Sequence, residues 1–180
     1  RSLPRVVGIA ASATAAFALD STGRVWAWGS NRNGQLGDGT GSDRRGPVLV
    51  AGLSAVKEVA AGFSSVFALA SDGTVWGWGK NNLGQLGVGH QDDVYTPTAV
   101  VGLPDVRSIA AGWAAAYAVT FDGSVWTWGN NDSGQLGMPA RAESLVPVQL
   151  EGFSGVIEIA ARKNSVYALT SGADAQSGYT

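Results

Sequence analysis

The sequence predicts an all-β fold, built of β-propeller blades with four antiparallel strands each, on a 50-residue repeat that forms an incomplete ring. Three observations predict it. Trp26, Trp76 and Trp126 stand 50 residues apart, and Gly34, Gly84 and Gly134 open three copies of Gly-Gln-Leu-Gly at the same interval. Each interval holds four short apolar runs separated by turn residues. The composition is rich in Gly (26) and Trp (7), with 14% charged residues against a usual value of about 25%.

The unit opens on an apolar run ending in Ala-Ala: Ile9-Ala10-Ala11, Val59-Ala60-Ala61, Ile109-Ala110-Ala111 and Ile159-Ala160-Ala161. A short loop leads to a second run: Phe17-Ala18-Leu19, Phe67-Ala68-Leu69, Tyr117-Ala118-Val119 and Tyr167-Ala168-Leu169. Asp72-Gly73 and Asp122-Gly123, with Thr22-Gly23 in the first copy, then predict a two-residue hairpin, because Gly tolerates the positive φ such a turn requires. The third run is Val-Trp-x-Trp-Gly, followed by Gly-Gln-Leu-Gly and a variable loop. The fourth starts at Pro47, Pro97 or Pro147 and reads as an outer edge strand, where a missing N–H costs little. A parallel β-helix would need a shorter period, and a helical solenoid would need longer runs with 3.6-residue periodicity.

The chain is therefore one propeller segment, with repeats at about 3–52, 53–102 and 103–152, a half repeat at 153–172 and a tail at 173–180. Val6 to Leu19 looks like the apolar part of a signal peptide, but Leu3–Ser12 matches Leu103–Gly112, so it opens a repeat. Where the fourth copy should offer Asp-Gly and Val-Trp-x-Trp-Gly, it reads Gly172-Ala173-Asp174-Ala175. An open arc leaves unpaired edges. One expectation is a segment of a larger propeller. The other is self-association, although two copies would bring eight inner hairpins and only six outer halves.

Alternation along Val-Trp-x-Trp-Gly puts both tryptophans of each pair on one strand face. Trp26/Trp28, Trp76/Trp78 and Trp126/Trp128 recur unchanged, as a blade-to-blade core requires, and are expected to be mostly buried. Leu36, Leu86 and Leu136 are the matching plugs of Gly-Gln-Leu-Gly.

Val-Trp-x-Trp-Gly-x-Asn and Gly-Gln-Leu-Gly, preceded by Ala-Ala-Gly and an aromatic-Ala-Leu strand, resemble the repeat of the regulator of chromosome condensation family. The resemblance covers Leu3 to about Ser171. It implies a seven-bladed propeller, which at this period needs about 350 residues. It also implies a rigid disc that presents loops to a protein partner, since family members include a nucleotide exchange factor, a plant photoreceptor and inhibitors of β-lactamases. Several motifs depart from the family. Its usual His after Ala-Ala-Gly is replaced by Ala15, Ser65, Ala115 and Ser165, and of the photoreceptor's Gly-Trp-Arg-His-Thr only Gly112-Trp113 is matched. There is no basic tail of the kind the exchange factor uses on chromatin.

The residues exclude several chemistries. A net charge of −2 provides no footprint for nucleic acid. Zero Cys removes disulfides, thiolate metal sites and cysteine nucleophiles, and leaves the compartment open. His90, the only His, lies with Asp92 and Asp93 in a loop that reads as solvated turn chemistry. Glu58 and Glu158 occupy equivalent slots, which points to a repeated structural role. The Asn-rich turns lack the alternating acids and terminal Glu of a calcium loop. Asn131-Asp132-Ser133 fits a glycosylation sequon, a tripeptide common by chance. The glycine spacing lacks the Lys-Ser/Thr ending of a phosphate loop. No catalytic set, metal, cofactor, nucleic acid or membrane is expected.

A slot that is constant across copies serves the scaffold, whereas one that varies is free for a partner. The pair after Ala-Ala-Gly reads Ala13-Thr14, Phe63-Ser64, Trp113-Ala114 and Lys163-Asn164, all on one rim. Rim aromatics anchor protein interfaces, and the resemblance to the β-lactamase inhibitors implies that this loop meets the partner. Phe63, Trp113, Arg162, Lys163 and Asn164 are therefore the candidate contacts. The loops carrying Arg44-Arg45, His90 to Tyr95 and Arg141 to Glu143 form a weaker second surface. The expected function is a non-enzymatic scaffold, acting like an exchange factor or an enzyme inhibitor. The alternative is a purely structural propeller segment of a larger protein.

Overall fold

The computed structural model describes residues 3–139 and 143–171. The expected loop contact Arg141 and the tail from 172 onward lie outside the described residues. Among the described residues there are fourteen strands and no helix. Blade 1 comprises β1 (Val6–Ala11), β2 (Ala15–Asp20), β3 (Val25–Gly29) and β4 (Arg44–Leu49). Blade 2 comprises β5 (Val56–Ala61), β6 (Ser65–Ala70), β7 (Val75–Gly79) and β8 (Val94–Ala99). Blade 3 comprises β9 (Val106–Ala111), β10 (Ala115–Thr120), β11 (Val125–Gly129) and β12 (Ser144–Leu150). β13 (Val156–Arg162) and β14 (Ser165–Thr170) form a half-blade. Strands pair in sequence order within each sheet, all antiparallel, and the first strands β1, β5, β9 and β13 neighbour one another along the inner side of the arc.

The second strand of each blade is buried on both faces, which explains its unbroken apolar run. Its register with the third strand repeats. Ala16, Val66 and Ala116 face Trp28, Trp78 and Trp128, while Ala18, Ala68 and Ala118 face Trp26, Trp76 and Trp126. Small residues opposite each indole leave room for the rings to lie between blades.

Those rings make the seams. One core joins Phe17, Leu36 and Val50 of blade 1 to Val66, Ala68 and Trp78 of blade 2. The next joins Phe67, Leu69 and Leu86 to Ala116, Ala118 and Trp128, and the third joins Tyr117, Val119 and Leu136 to Val156 and Ile159. Each seam thus takes the plug leucine of one blade and packs it with the next. Burying about 200 Å² of indole contributes roughly 5 kcal/mol to each of the first two seams before ordering costs, and the third seam has no indole among the described residues.

Two local expectations, on the hairpins and the outer strands, need correction, and the six paired tryptophans differ in degree: Trp78 and Trp128 are fully buried. Trp26, Trp76 and Trp126 are partly exposed in every copy, and Trp28 is partly exposed where no preceding blade covers its face among the described residues. The hairpins carry three-residue loops. Gly73 N–H donates to Ala70 O at 3.1 Å and Ala70 N–H to Thr74 O at 2.9 Å, with Gly73 at φ 87°, the geometry of a type I turn closed by a left-handed Gly. The outer strands begin about three residues before their prolines, so Pro47 sits inside β4, on an edge where its missing N–H leaves no ladder bond unmade.

Candidate functional site

The Gly-Gln-Leu-Gly turns build the outer part of the rim that also carries the loops between first and second strands. Asn31, Asn81 and Asn131 are fully buried, and their side-chain oxygens accept the N–H of Leu36, Leu86 and Leu136 at 2.9, 2.9 and 3.0 Å. This fixes each plug leucine and removes the Asn131 sequon from solvent. Gly37 and Gly87 lie so close to the next blade that an added Cβ would come within 2.9 Å of Trp78 Nε1 and 2.7 Å of Trp128 Cδ1. Asp93 accepts from Asn81 N–H and from Asn33 Nδ2, both at 2.9 Å, tying two turns together. His90 is exposed, and its Nδ1 accepts the Asp92 N–H at 3.2 Å. Both residues therefore serve loop geometry.

Toward the centre of the same rim, the four loops after Ala-Ala converge. Ala11, Ala61, Ala111 and Ala161 line a concavity of about 440 Å³ together with Phe63, Trp113, Arg162 and Lys163. Neighbouring loops touch through backbone. Gly62 has no room for a Cβ against the Gly112 carbonyl, and a Cβ on Gly112 would stand 2.5 Å from Lys163 O. Trp113 N–H donates to that same Lys163 O at 2.8 Å, and Lys163 adopts φ 53°. The glycines therefore let the loops close ranks, and closing ranks raises the next residue of each loop onto the surface.

Phe63 and Trp113 occupy that raised position. They are 44% and 52% exposed, and their rings stack across the seam between blades 2 and 3 with centroids 5.4 Å apart and a 39° tilt. Such a pair is a preformed apolar platform. Arg162 and Lys163 are exposed on its far side. Four of the five candidate contacts thus come together. Asn164 does not: its amide donates to Ser133 Oγ at 3.3 Å, and it lines a separate groove between blade 3 and the half-blade.

Sequence reasoning missed an aromatic on the opposite rim. Phe121, in the hairpin slot that holds Ser21, Ser71 and Ser171 elsewhere, is 64% exposed, with Lys57 Nζ 5.5 Å above its ring. Comparing that slot across copies would have found it.

Buried ionisable groups serve the scaffold. Burial pushes the Asp20 carboxyl up, but hydrogen bonds from Thr22, Trp26 and the Thr22 and Arg24 amides outweigh it and hold it well below the usual carboxylate range. Burial raises Glu58, whose Oε1 accepts from Ser108 Oγ and Ile109 N–H at 3.4 Å and so bridges two inner strands. Among the described residues, no group of three or more His, Cys, Asp or Glu side chains could hold a metal ion, and no helix is long and apolar enough to cross a membrane.

Known proteins share this architecture. In yeast RCC1 (Prp20), seen bound to Kap60, 28% of aligned residues are identical; the match covers 94% of this chain and 42% of that one, with a TM-score of 0.82. Human WBSCR16 is 29% identical, with 82% and 38% covered and a TM-score of 0.74. The human E3 ubiquitin-protein ligase HERC2 is 42% identical over 53 residues, 29% of this chain and 1% of its own length. The chain thus spans less than half of each of these proteins. Residues 22–69, 72–119 and 122–169 match the regulator of chromosome condensation (RCC1) repeat, each span running from the hairpin of one blade into the second strand of the next. These three matches over most of the chain, laid on three four-stranded blades, place it in the regulator of chromosome condensation (RCC1) repeat family.

Proposed function

We propose that the chain is a non-enzymatic scaffold that binds a protein partner through the rim carrying the inner loops. The observation that carries this reading is the exposed Phe63–Trp113 pair at the edge of the 440 Å³ concavity. Two large aromatics held at the surface by backbone closure, ringed by alanines and flanked by Arg162 and Lys163, have the composition of an interface anchor. Low charge supports a protein partner over nucleic acid. The bound Kap60 in the yeast relative supports protein binding as a use of this fold. Action like an exchange factor or an enzyme inhibitor are the two forms such binding would take.

The test is affinity capture with the wild-type chain and with Phe63→Ala/Trp113→Ala. Proteins recovered by the wild type and lost by the double variant are the expected result. Equal recovery overturns the rim assignment, and recovery of nothing by either favours a purely structural segment.

A further inference from the structure

The rim opposite the Phe63–Trp113 platform departs from the repeat in its own way. Each inner strand is bulged near its start, between Val6 and Gly8, Val56 and Glu58, Val106 and Ser108, and Val156 and Glu158. The extra residue of a bulge leaves the ladder and is re-aimed. That slot reads Val7, Lys57, Arg107 and Ile157, too varied for a scaffold duty. Lys57 and Arg107 are exposed, in the adjacent inner strands β5 and β9.

Phe121 stands beside them. Thr120 pairs with Val106, so the bulge holding Arg107 lies next to the hairpin holding Phe121, and Phe121 N–H donates to Asp105 O at 3.2 Å. From the preceding blade, Lys57 Nζ stands 5.5 Å above the Phe121 ring and 3.5 Å from Val106 O. The ring remains 64% exposed, in a slot that holds Ser in every other copy. All three residues belong to blades with a neighbour on both sides, so this exposure does not arise at an end of the arc.

Neither cation has a carboxylate partner. Among the described residues the ion pairs are Arg24–Asp20 and Arg44–Asp38. The nearby hairpin acids serve their own turns: Asp72 accepts Thr74 N–H, and Asp122 accepts the Thr120 hydroxyl and Ser124 N–H. An ammonium has three donors and a guanidinium five, and most of these face solvent here. Unpaired donors around an apolar ring are complementary to carboxylates flanking an apolar side chain. A continuous polyanion fits less well, because Asp72, Asp105 and Asp122 are exposed on the same rim.

We propose that Lys57, Arg107 and Phe121 form a second docking site, for a short acidic segment of a protein partner. Its carboxylates meet the two cations, and an apolar side chain covers the open side of the ring. The site is separate from the Phe63–Trp113 platform and does not rest on it.

The probe is the peptide Glu-Glu-Phe-Glu-Glu, titrated into the isotope-labelled chain and followed by backbone amide shifts. Saturable shifts centred on Lys57, Arg107 and Phe121 are expected, weakening as salt is raised. Phe121→Ser, Lys57→Val and Arg107→Ile each introduce the residue that another copy holds in that slot, so turn and bulge are kept. Phe121→Ser, and Lys57→Val combined with Arg107→Ile, should each weaken binding at least about five-fold. Gln-Gln-Phe-Gln-Gln and Glu-Glu-Ala-Glu-Glu should lose about as much. No saturable shift, shifts centred on Phe63 and Trp113, or unchanged binding by the variants or by the Gln peptide would overturn the proposal. Tighter binding of an oligothymidylate, or of phosphatidylserine vesicles, at the same residues would assign the cluster to nucleic acid or to a membrane surface and would also overturn it.

Discussion

The indole N–H of Trp78 donates to the backbone carbonyl of Gln35 across the first seam at 2.9 Å, whereas the equivalent N–H of Trp128, buried in the second seam, has no hydrogen-bond partner among the described residues. Two tryptophans in the same slot of the repeat thus do different amounts of polar work. Trp78→Phe strands the Gln35 carbonyl, and Trp128→Phe removes an unmatched donor. In urea unfolding, Trp78→Phe is expected to cost about 1 kcal/mol more than Trp128→Phe. Equal losses would show that the bond contributes nothing.

Backbone closure at the rim is tested by Gly112→Ala. Its Cβ would meet Lys163 O at 2.5 Å, while Gly46, in β4, has nothing within 4 Å. Gly112→Ala is expected to cost about 1–3 kcal/mol by overpacking, and Gly46→Ala to stay within about 0.5 kcal/mol. Thermal melts compare the two directly.

The aromatic platform is expected to matter for binding and not for folding. Phe63→Ala and Trp113→Ala remove rings that are about half exposed, so each should leave the melting temperature within a few degrees. Once a partner is in hand, a double-mutant cycle on its affinity should give a coupling of about 0.5–1.5 kcal/mol, because the rings touch. Additive losses would mean that the two rings act separately.

Asp20 makes the first blade sensitive to acid. Its folded pKa lies below the unfolded value, so its contribution is present above the unfolded pKa of about 3.9 and is lost as pH falls through the folded value. Wild-type stability should decline from about pH 5 downward. Asp20→Asn should be less stable at pH 7, since one amide face cannot accept from Trp26 Nε1 or Arg24 Nε, and its decline in acid should be shallower. Parallel pH profiles would remove Asp20 as the cause.

The blades were legible because three copies voted on every position: runs, turns and the Trp alternation agreed at the same spacing. What the copies share could not reveal what depends on place in the arc. Trp28 and Trp78 occupy the same slot of the Val-Trp-x-Trp-Gly motif, yet among the described residues only Trp78 has a blade in front of it. The hairpin acid also moved. Asp72 and Asp122 accept the Thr74 and Ser124 amides from inside the turn, whereas in the first copy Asp20 does this from the strand end and recruits Trp26 as well. At the candidate site, slot variation singled out Phe63 and Trp113 without saying whether their rings would lie outside. That was decided by Gly62 and Gly112, whose bare Cα atoms let the backbones meet. Asn164 shared the slot but its amide donates to Ser133 Oγ of blade 3, a contact that slot comparison could not foresee.

The matched spans 22–69, 72–119 and 122–169 each straddle two blades, supplying the outer half of one and the inner half of the next, whereas 6–35, 56–85 and 106–135 each match the repeat within one blade. A straddling span is a staple across the seam between two packed blades. Duplicating or deleting one 50-residue span would change the number of blades by one while every junction kept the same pair of halves. Blades 2 and 3 are each joined covalently to a neighbour on both sides. In such an arc, length can be edited without redesigning any interface.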